Sequence, residues 1–367
     1  MTQSPQESKP SISMESLLQS LVREEATDLH ISAGSPPLLR KDGRLKPGLQ
    51  ENLTPSLTLN LVQSIMSSRE IKRFEEAKEI DFSFSVPDLG RFRANAFIQR
   101  GSASCAIRRI PEKIQSFEEL GLPPVVHNLI RRPNGLILVT GPTGSGKSTS
   151  LASMVDQINI NRESHILTIE DPIEFVHTRK KSVVSQREVY HDTESFASAL
   201  KVALRQDPDV VFIGEMRDLE TIQTALTIAE TGHLTLTTLH TNSAPRTINR
   251  IIDVFPKEQK SIIRSQLSLV IEGIISQLLL PKIGGGLVLA SEVLVATPAI
   301  RAMIREDKVH QIPGIMEIGR KFGMQCLDAE LFRLVKEKLI ARETALAHSP
   351  DPEQLRKELR KAGLSTG

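Results

Sequence analysis

A glycine loop between an apolar run and a helix constrains this chain more than any other feature. Residues 135–140 read Gly-Leu-Ile-Leu-Val-Thr, and residues 141–149 read Gly-Pro-Thr-Gly-Ser-Gly-Lys-Ser-Thr. This is the G-x-x-x-x-G-K-[ST] pattern in a strand–loop–helix setting. The backbone N–H groups of such a loop point at phosphate oxygens, the lysine reaches the β- and γ-phosphates, and the serine hydroxyl binds Mg²⁺. A glycine turn that merely joins a strand to a helix is the alternative, and it requires the lysine, the hydroxyl and the strand to coincide by chance.

The loop therefore predicts that the chain binds ATP with Mg²⁺. The predicted nucleotide-binding residues are Gly141, Pro142, Thr143, Gly144, Ser145, Gly146, Lys147, Ser148 and Thr149, of which Ser148 also contacts the metal.

The composition excludes several other classes of protein. With 46 basic and 44 acidic residues the net charge is +2, which gives no overall reason to expect binding to nucleic acid or to an anionic membrane. Cys105 and Cys326 stand alone, which suits a reducing compartment and excludes a four-cysteine zinc site. The most apolar stretch with a predicted helical pattern, residues 267–280, contains Glu272 and is too short to span a bilayer. We expect a cytosolic protein without a transmembrane segment.

Shifts in composition and periodicity predict five segments. They are a disordered leader at 1–13, an N-terminal α+β domain at 14–110, a proline-containing linker at 111–122, an α/β domain at 123–345 and a charged tail at 346–367. In the α+β domain we predict a helix from Met14, a strand at 28–32, a hairpin turn at Asp42-Gly43, helices between 54 and 77, and an antiparallel meander over 79–110.

The α/β domain alternates apolar runs with helical patterns. We predict strands at 165–169, 210–213 and 234–239, with helices around 194–205, 218–231 and 244–252. Such alternation produces βαβ units and a mostly parallel sheet, with the ligand at the carboxyl ends of the strands. Beyond residue 297 the pattern is mainly helical.

Several polar residues follow these predicted strands. Glu215 ends the 210–213 strand, where Gly214 takes the place of the aspartate common in Walker B strands, and the alternative is an ordinary surface carboxylate. Glu170 and Asp171 follow the 165–169 strand, where either could orient water or hold Mg²⁺ through its water shell. His240 follows the third strand and is a candidate γ-phosphate sensor, although a lone histidine there is more often structural.

Together these segments resemble the secretion ATPase superfamily, which powers type II and type IV secretion and type IV pili. The resemblance rests on the glycine loop, Thr-Ile-Glu-Asp-Pro-Ile-Glu (168–174), Gly-Glu-Met-Arg-Asp-Leu-Glu-Thr-Ile (214–222), and Glu-Thr-Gly-His followed by Thr-Leu-His-Thr (230–241), which match its Walker A, Asp box, Walker B and His box. It implies a PAS-like N-terminal domain and a RecA-like ATPase domain in a homo-hexamer. It also implies that Glu215 is the catalytic carboxylate, assisted by Glu170.

The resemblance extends into the N-terminal domain at residues 90–97 and 107–111. It implies that Arg93 and Arg108 serve the γ-phosphate of a neighbouring subunit, and Arg91 is a further candidate outside this pair. Arg91 and Arg93 share one face of a strand by its period of two, which suits a guanidinium aimed at phosphate. An ordinary charged solvent face is the alternative.

Two further features resemble the pilus retraction ATPases within the superfamily. No cysteine interrupts residues 280–286, where extension ATPases carry a zinc element, and residues 297–306 resemble the retraction signature Ala-Ile-Arg-Asn-Leu-Ile-Arg-Glu. Ala302 and Met303 depart from it. We predict that Ile300 and Ile304 face inward while Arg301, Arg305 and Lys308 form an exposed basic stripe.

The resemblance thus implies an ATPase for pilus retraction and twitching motility at the inner face of the inner membrane, partnered by the platform protein of the pilus machine. A retraction paralogue of the same family is the first alternative. A RecA-like nucleic-acid motor is the second, and the composition of one tyrosine and no tryptophan argues against its stacking platforms. A nucleotide-binding scaffold without turnover is the third.

Overall fold

The computed structural model describes residues 12–41, 43–110 and 113–364, and the chain divides into two compact units after Lys113. The predicted leader at 1–13 falls largely outside the described residues. Its last residue, Ser13, caps the first helix, because its hydroxyl accepts from the Ser16 N–H while the Ser16 side chain donates back to Ser13.

The first unit is an antiparallel sheet with helices. In chain order its described elements are α1 (Met14–Arg23), β1 (Asp28–Ser32), β2 (Leu38–Lys41), β3 (Arg44–Pro47), α2 (Pro55–Gln63), α3 (Ser68–Ala77), β4 (Glu79–Val86), β5 (Gly90–Gln99) and β6 (Ser102–Arg109). The strands lie in the order β3-β2-β1-β6-β5-β4. In β5, Phe92, Ala94 and Ala96 are fully buried, so Arg91 and Arg93 point to the opposite face as predicted.

The second unit is a mostly parallel sheet covered by helices. Its first half contains α4 (Phe117–Leu120), α5 (Val125–Leu129), β7 (Gly135–Thr140), α6 (Lys147–Asn161), β8 (His165–Glu170), β9 (Val183–Glu188), α7 (Phe196–Ala203), β10 (Val210–Ile213), α8 (Leu219–Glu230) and β11 (Leu234–Leu239). Its second half contains α9 (Ala244–Asp253), α10 (Lys260–Val270), β12 (Ile271–Pro281), β13 (Leu287–Val295), α11 (Pro298–Arg305), α12 (Ile312–Ile318), α13 (Leu327–Lys336), α14 (Arg342–His348) and α15 (Pro352–Lys361).

The strand order of this sheet, β13-β12-β7-β11-β10-β8-β9, places the predicted motifs at one edge. Strands β12, β7, β11, β10, β8 and β9 pair in parallel, and only β13 is antiparallel. Every residue of β7, β10 and β11 is buried. The carboxyl ends of parallel strands share an edge, so the residues that follow β7, β8, β10 and β11 meet there.

The predicted helical pattern over residues 267–280 is wrong for most of its length. Helix α10 ends at Val270, and β12 begins at Ile271 and pairs with β7 and β13. Ile271, Ile274 and Ile275 are β-branched and fully buried in the sheet. Because a strand buried on both faces has a continuous apolar sequence, its pattern resembles that of a buried helix.

The second unit extends beyond both of its predicted ends. Phe117, within the predicted linker, is buried in the core of this unit, and the Ser153 hydroxyl of α6 donates to the Gln115 carbonyl oxygen at 2.7 Å. In the predicted tail, Leu355 and Leu359 of α15 are fully buried. Among the residues described, no helix is both long and apolar enough to cross a membrane.

Candidate functional site: a phosphate-binding loop and its carboxylates

The loop after β7 requires glycine at its first position. Gly141 has φ of 146°, and a Cβ there would lie 2.4 Å from the Gln277 carbonyl oxygen and 2.5 Å from the Ser145 hydroxyl. Gly144 and Gly146 also have positive φ, and Gly146 precedes the first residue of α6. The sequence Gly-x-x-Gly-x-Gly therefore folds the backbone tightly at the positive end of a 15-residue helix.

Lys147 is folded back onto this loop. Its ammonium group donates to the carbonyl oxygens of Gly141 at 2.9 Å and Pro142 at 3.0 Å, and the residue is only 9% exposed. Burial lowers the pKa of Lys147, while the negative charges of Glu174 and Glu215 oppose that shift. Because two neutral carbonyl oxygens hold the buried ammonium group, its positive charge is available to phosphate oxygens.

Two buried polar atoms lie beside the loop without a hydrogen-bond partner among the described residues. They are the Ser145 hydroxyl and Oε1 of Gln277, whose amide nitrogen donates to the Ser150 hydroxyl at 2.8 Å. Buried polar atoms are normally paired, so an unsatisfied hydroxyl inside a glycine loop fits a site that receives a polar ligand. Ser148 and Thr149 lie half-buried in the first turn of α6.

Glu215 lies just beyond the end of β10, as predicted. Its Oε2 contacts Nε of Arg217 at 2.7 Å and Nε2 of His240 at 3.5 Å, and its side chain is 18% exposed. Gly214 lies close to β8, because a Cβ there would approach the Ile169 carbonyl oxygen at 3.3 Å and the Glu170 Cα at 3.4 Å, which disfavours a larger residue such as aspartate. The structure thus brings Glu215 and His240 together at the edge that holds Lys147.

Glu170 is the last residue of β8 and is buried. Its Oε1 accepts from the Thr168 hydroxyl at 2.6 Å and from Nε2 of Gln186 at 3.1 Å. Burial raises the pKa of Glu170 to about 7, and these hydrogen bonds limit the rise. Asp171, the next residue, is exposed at the same edge.

Comparison with known proteins agrees with this geometry. The model of the type II/IV secretion system protein family matches residues 5–314. The chain belongs to this secretion ATPase family. It is 52% identical to the type IV pilus retraction ATPase PilT of Pseudomonas aeruginosa, over 92% of this chain and 98% of that one. It is 41% identical to the type IV pilus ATPase PilU of the same organism, over 93% and 90% of the two chains.

A solved structure of a family member confirms the fold. The crystal structure of the pilus retraction motor PilT with bound ADP superposes with a TM-score of 0.90 at 50% identity, covering 95% of this chain and all of that one. The predicted combination of an α+β N-terminal domain and a P-loop ATPase domain is therefore confirmed.

The predicted arginines of this secretion ATPase lie side by side in the first unit. Arg93 of β5 is the register partner of Arg108 of β6. Arg93 lies 3.8 Å from Asp81, and Arg108 donates through Nε to Asp28 at 2.8 Å with its side chain 71% exposed. Burial alone would raise the pKa of Asp28, but hydrogen bonds from Thr27 and Arg108 lower it below its usual value. Arg91 is more confined, because it donates to the Ser83 hydroxyl at 2.6 Å.

The predicted basic stripe on α11 is wrong in one member. Ile300 and Ile304 are fully buried as predicted, and Arg305 is exposed. Arg301, however, donates to the carbonyl oxygens of Ser268 and Leu269 at 3.0 and 2.7 Å and pairs with Glu272 at 2.5 Å. Its guanidinium therefore caps the end of α10 instead of facing solvent.

Sequence reasoning missed three residues around the site. Arg217 pairs with Glu215, Glu174 acts electrostatically on Lys147, and Gln186 contacts Glu170. Arg217 and Glu174 stand in the quoted motifs, two residues after Glu215 and three after Asp171, so this spacing could have marked them. No motif marks Gln186, because its role depends on β9, a strand that the sequence pattern did not reveal.

Proposed function

We propose that this chain hydrolyses ATP to power the retraction of type IV pili. The observation that carries the proposal is that Lys147, His240 and Glu215 follow the neighbouring parallel strands β7, β11 and β10 at one edge of the sheet, with His240 3.5 Å from Glu215. The kind of work follows from the relatives, since a retraction ATPase is 52% identical over 92% of the chain. This argues against the scaffold and nucleic-acid alternatives.

The side chains take distinct roles in this proposal. Lys147 exchanges its two loop carbonyls for the β- and γ-phosphates, and the loop N–H groups bind the remaining oxygens. Glu215 accepts the proton of the attacking water, while Glu170 orients the water from the neighbouring strand. His240, 3.5 Å from Glu215, responds to the γ-phosphate. Replacing the buried carbonyl contacts by phosphate keeps the ammonium group satisfied in both states.

Mg²⁺ fits the oxygen donors at this edge, namely the Ser148 hydroxyl and the exposed Asp171 carboxylate, the latter acting through water. When bound, the ion neutralises charge on the phosphates. The chain's own residues bind the phosphates, orient the attacking water and accept its proton.

The active ring contains six copies, and Arg93 and Arg108 act on the γ-phosphate of a neighbouring copy. Arg93 and Arg108 are register partners on the adjacent strands β5 and β6, so both guanidinium groups project from the same rigid face of the sheet. This arrangement supports a shared role at the γ-phosphate. Rings mixed from Arg108→Ala and Glu215→Ala subunits test this assignment. A complete site, with Glu215 from one subunit and Arg108 from its neighbour, then forms at only some interfaces. Wild-type hydrolysis by pure Arg108→Ala rings would remove the arginine assignment.

The motor works in the cytoplasm at the inner face of the inner membrane, where it acts on the platform protein of the pilus machine. Identity of 52% to PilT against 41% to PilU supports the principal motor over the paralogue. The test is expression in P. aeruginosa strains lacking either protein. Restored twitching in the strain without PilT supports the proposal, whereas a strain that stays piliated and immotile, although the purified protein releases phosphate from ATP, contradicts the retraction role.

A further inference from the structure

We infer that Gln186 is a positioning residue that holds the Glu170 carboxylate in place for ATP hydrolysis. The inference rests on the proposed function, because Gln186 acts only through Glu170. It concerns a strand, β9, that carries none of the family motifs found in the sequence.

The register of β8 and β9 brings the two side chains to the same face. Thr168 pairs with Gln186 and Glu170 pairs with Glu188 in this parallel ladder. Register partners in parallel strands point to the same side of the sheet, so Thr168, Glu170 and Gln186 converge. The Thr168 hydroxyl and the Gln186 amide both donate to one atom, Oε1 of Glu170, at 2.6 and 3.1 Å.

The Gln186 amide is fixed at both of its ends. Its nitrogen also donates to the Phe175 carbonyl oxygen at 2.8 Å, and its oxygen accepts the His177 backbone N–H at 2.8 Å. Two acceptors face the nitrogen and one donor faces the oxygen, so the reversed amide would satisfy none of the three. Gln186 therefore presents an oriented donor to the carboxylate.

An oriented donor matters because Glu170 is only 6% exposed and has little water to orient it. A Glu170 carboxyl group that turned away would lose both hydrogen bonds to Oε1 at once, at a buried site where an unpaired polar group is costly. The same amide ties Phe175 and His177, which follow Glu174, to β9. These two backbone contacts hold the amide itself, so its nitrogen stays aimed at Oε1 of Glu170.

The test compares Gln186→Leu and Gln186→Glu with the parent in steady-state hydrolysis by the full chain. The first removes the donor, and the second keeps the shape but turns an acceptor toward Glu170 and Phe175. We expect kcat to fall about 10- to 100-fold in both, the equivalent of one hydrogen bond to a charged group. KM and the affinity for ADP should change less than about threefold, because the phosphate loop is not altered.

Ser185→Ala is the matched control. Ser185 is the preceding residue of β9 and faces the opposite side, where its hydroxyl contacts Nε2 of His165 at 2.9 Å. The control removes one side-chain hydrogen bond from the same strand and should leave kcat unchanged. An equal fall in kcat for Ser185→Ala and Gln186→Leu would show a general weakening of β9 and overturn the inference.

A double-mutant cycle with Glu170→Gln separates positioning from structural support. If Gln186 acts through Glu170, adding Gln186→Leu to Glu170→Gln should lower kcat no further. Multiplying losses overturn the inference, as does a parent-like kcat for both Gln186 variants. A parent-like kcat for Glu170→Gln would instead refute the role proposed for Glu170, and the inference with it.

Discussion

Replacing Arg301 tests whether α11 is anchored as the structure shows. Arg301 donates to the Ser268 and Leu269 carbonyl oxygens at the end of α10 and pairs with Glu272. The Arg301 and Glu272 side chains are 23% and 14% exposed, so this is a largely buried pair. Arg301→Ala leaves two helix-end carbonyls without this donor and Glu272 with Arg132 at 3.2 Å.

The expected loss follows from these contacts. A hydrogen bond to a charged group contributes about 1.5–3 kcal/mol to the free energy of unfolding. The sum over the three bonds of Arg301 is larger than this range and is the upper limit of the loss. Water reaches part of the guanidinium and Arg132 still pairs with Glu272, so we expect a loss of about 2 kcal/mol in the free energy of unfolding. For a unit of this size that corresponds to a fall of roughly 4–8 °C in the unfolding midpoint.

The assay is thermal unfolding of the purified full chain, with Arg305→Ala as the control on the same helix. Arg305 is exposed, so its removal should change the free energy of unfolding by less than about 0.5 kcal/mol. Similar unfolding midpoints for Arg301→Ala and Arg305→Ala would refute the buried role of Arg301, whether both midpoints fall or neither does.

Three further predictions concern the second unit. Lys147→Ala should weaken ATP binding at least about 100-fold in calorimetry, because it removes the positive charge that pairs with the β- and γ-phosphates. An unchanged affinity would contradict the assignment of the phosphate loop. Glu215→Gln should keep ATP affinity but lower turnover by about 10²–10⁴, and near-parent turnover would move the role of base to Glu170. Burial lowers the pKa of His177 to about 4. The folded state therefore keeps its full stability above the unfolded pKa of about 6.5 and loses stability as the pH falls toward 4, because the unfolded state binds the proton more readily. Between pH 7.5 and pH 5 the free energy of unfolding of the parent, measured by urea unfolding, should fall by about 2 kcal/mol more than that of His177→Leu.

The parallel strands could be predicted closely because their ends carry strong local signals. The strands 210–213 and 234–239 were predicted with the bounds that the structure shows. Each is a short β-prone run between turn residues and helical patterns. The run 267–280 lacks such a signal, because a helix passes into a strand at Ile271 without a proline or a turn between them. Periodicity alone cannot locate that change.

The site residues divide in the same way. Lys147 and Glu215 could be predicted because each stands at a fixed distance from a strand end, so local spacing determines its position. Gln186 and Arg301 could not, since their partners lie 16 and 29 residues away and depend on the register of β9 and the course of β12. Long-range contacts of this kind follow from tertiary packing, which single-sequence patterns do not contain.

Strand β12 also explains why α11 cannot be treated as a free surface. It lies against both ends of β7: a Cβ on Gly135 would come 2.6 Å from the Glu272 side chain, and one on Gly141 would come 2.4 Å from the Gln277 carbonyl oxygen. Strand β7, which precedes the phosphate loop, therefore lies against β12 from its first residue to its end. Because Arg301 binds Glu272, a charge reversal at Arg301 places a second carboxylate beside the start of β7 and disturbs the support of the loop. Loss of hydrolysis in that variant would then report on the scaffold, whereas a substitution at Arg305 changes only the exposed face of α11. A role for α11 in retraction is therefore tested at Arg305, where unchanged ATP hydrolysis with lost twitching would support it and unchanged twitching would exclude that face.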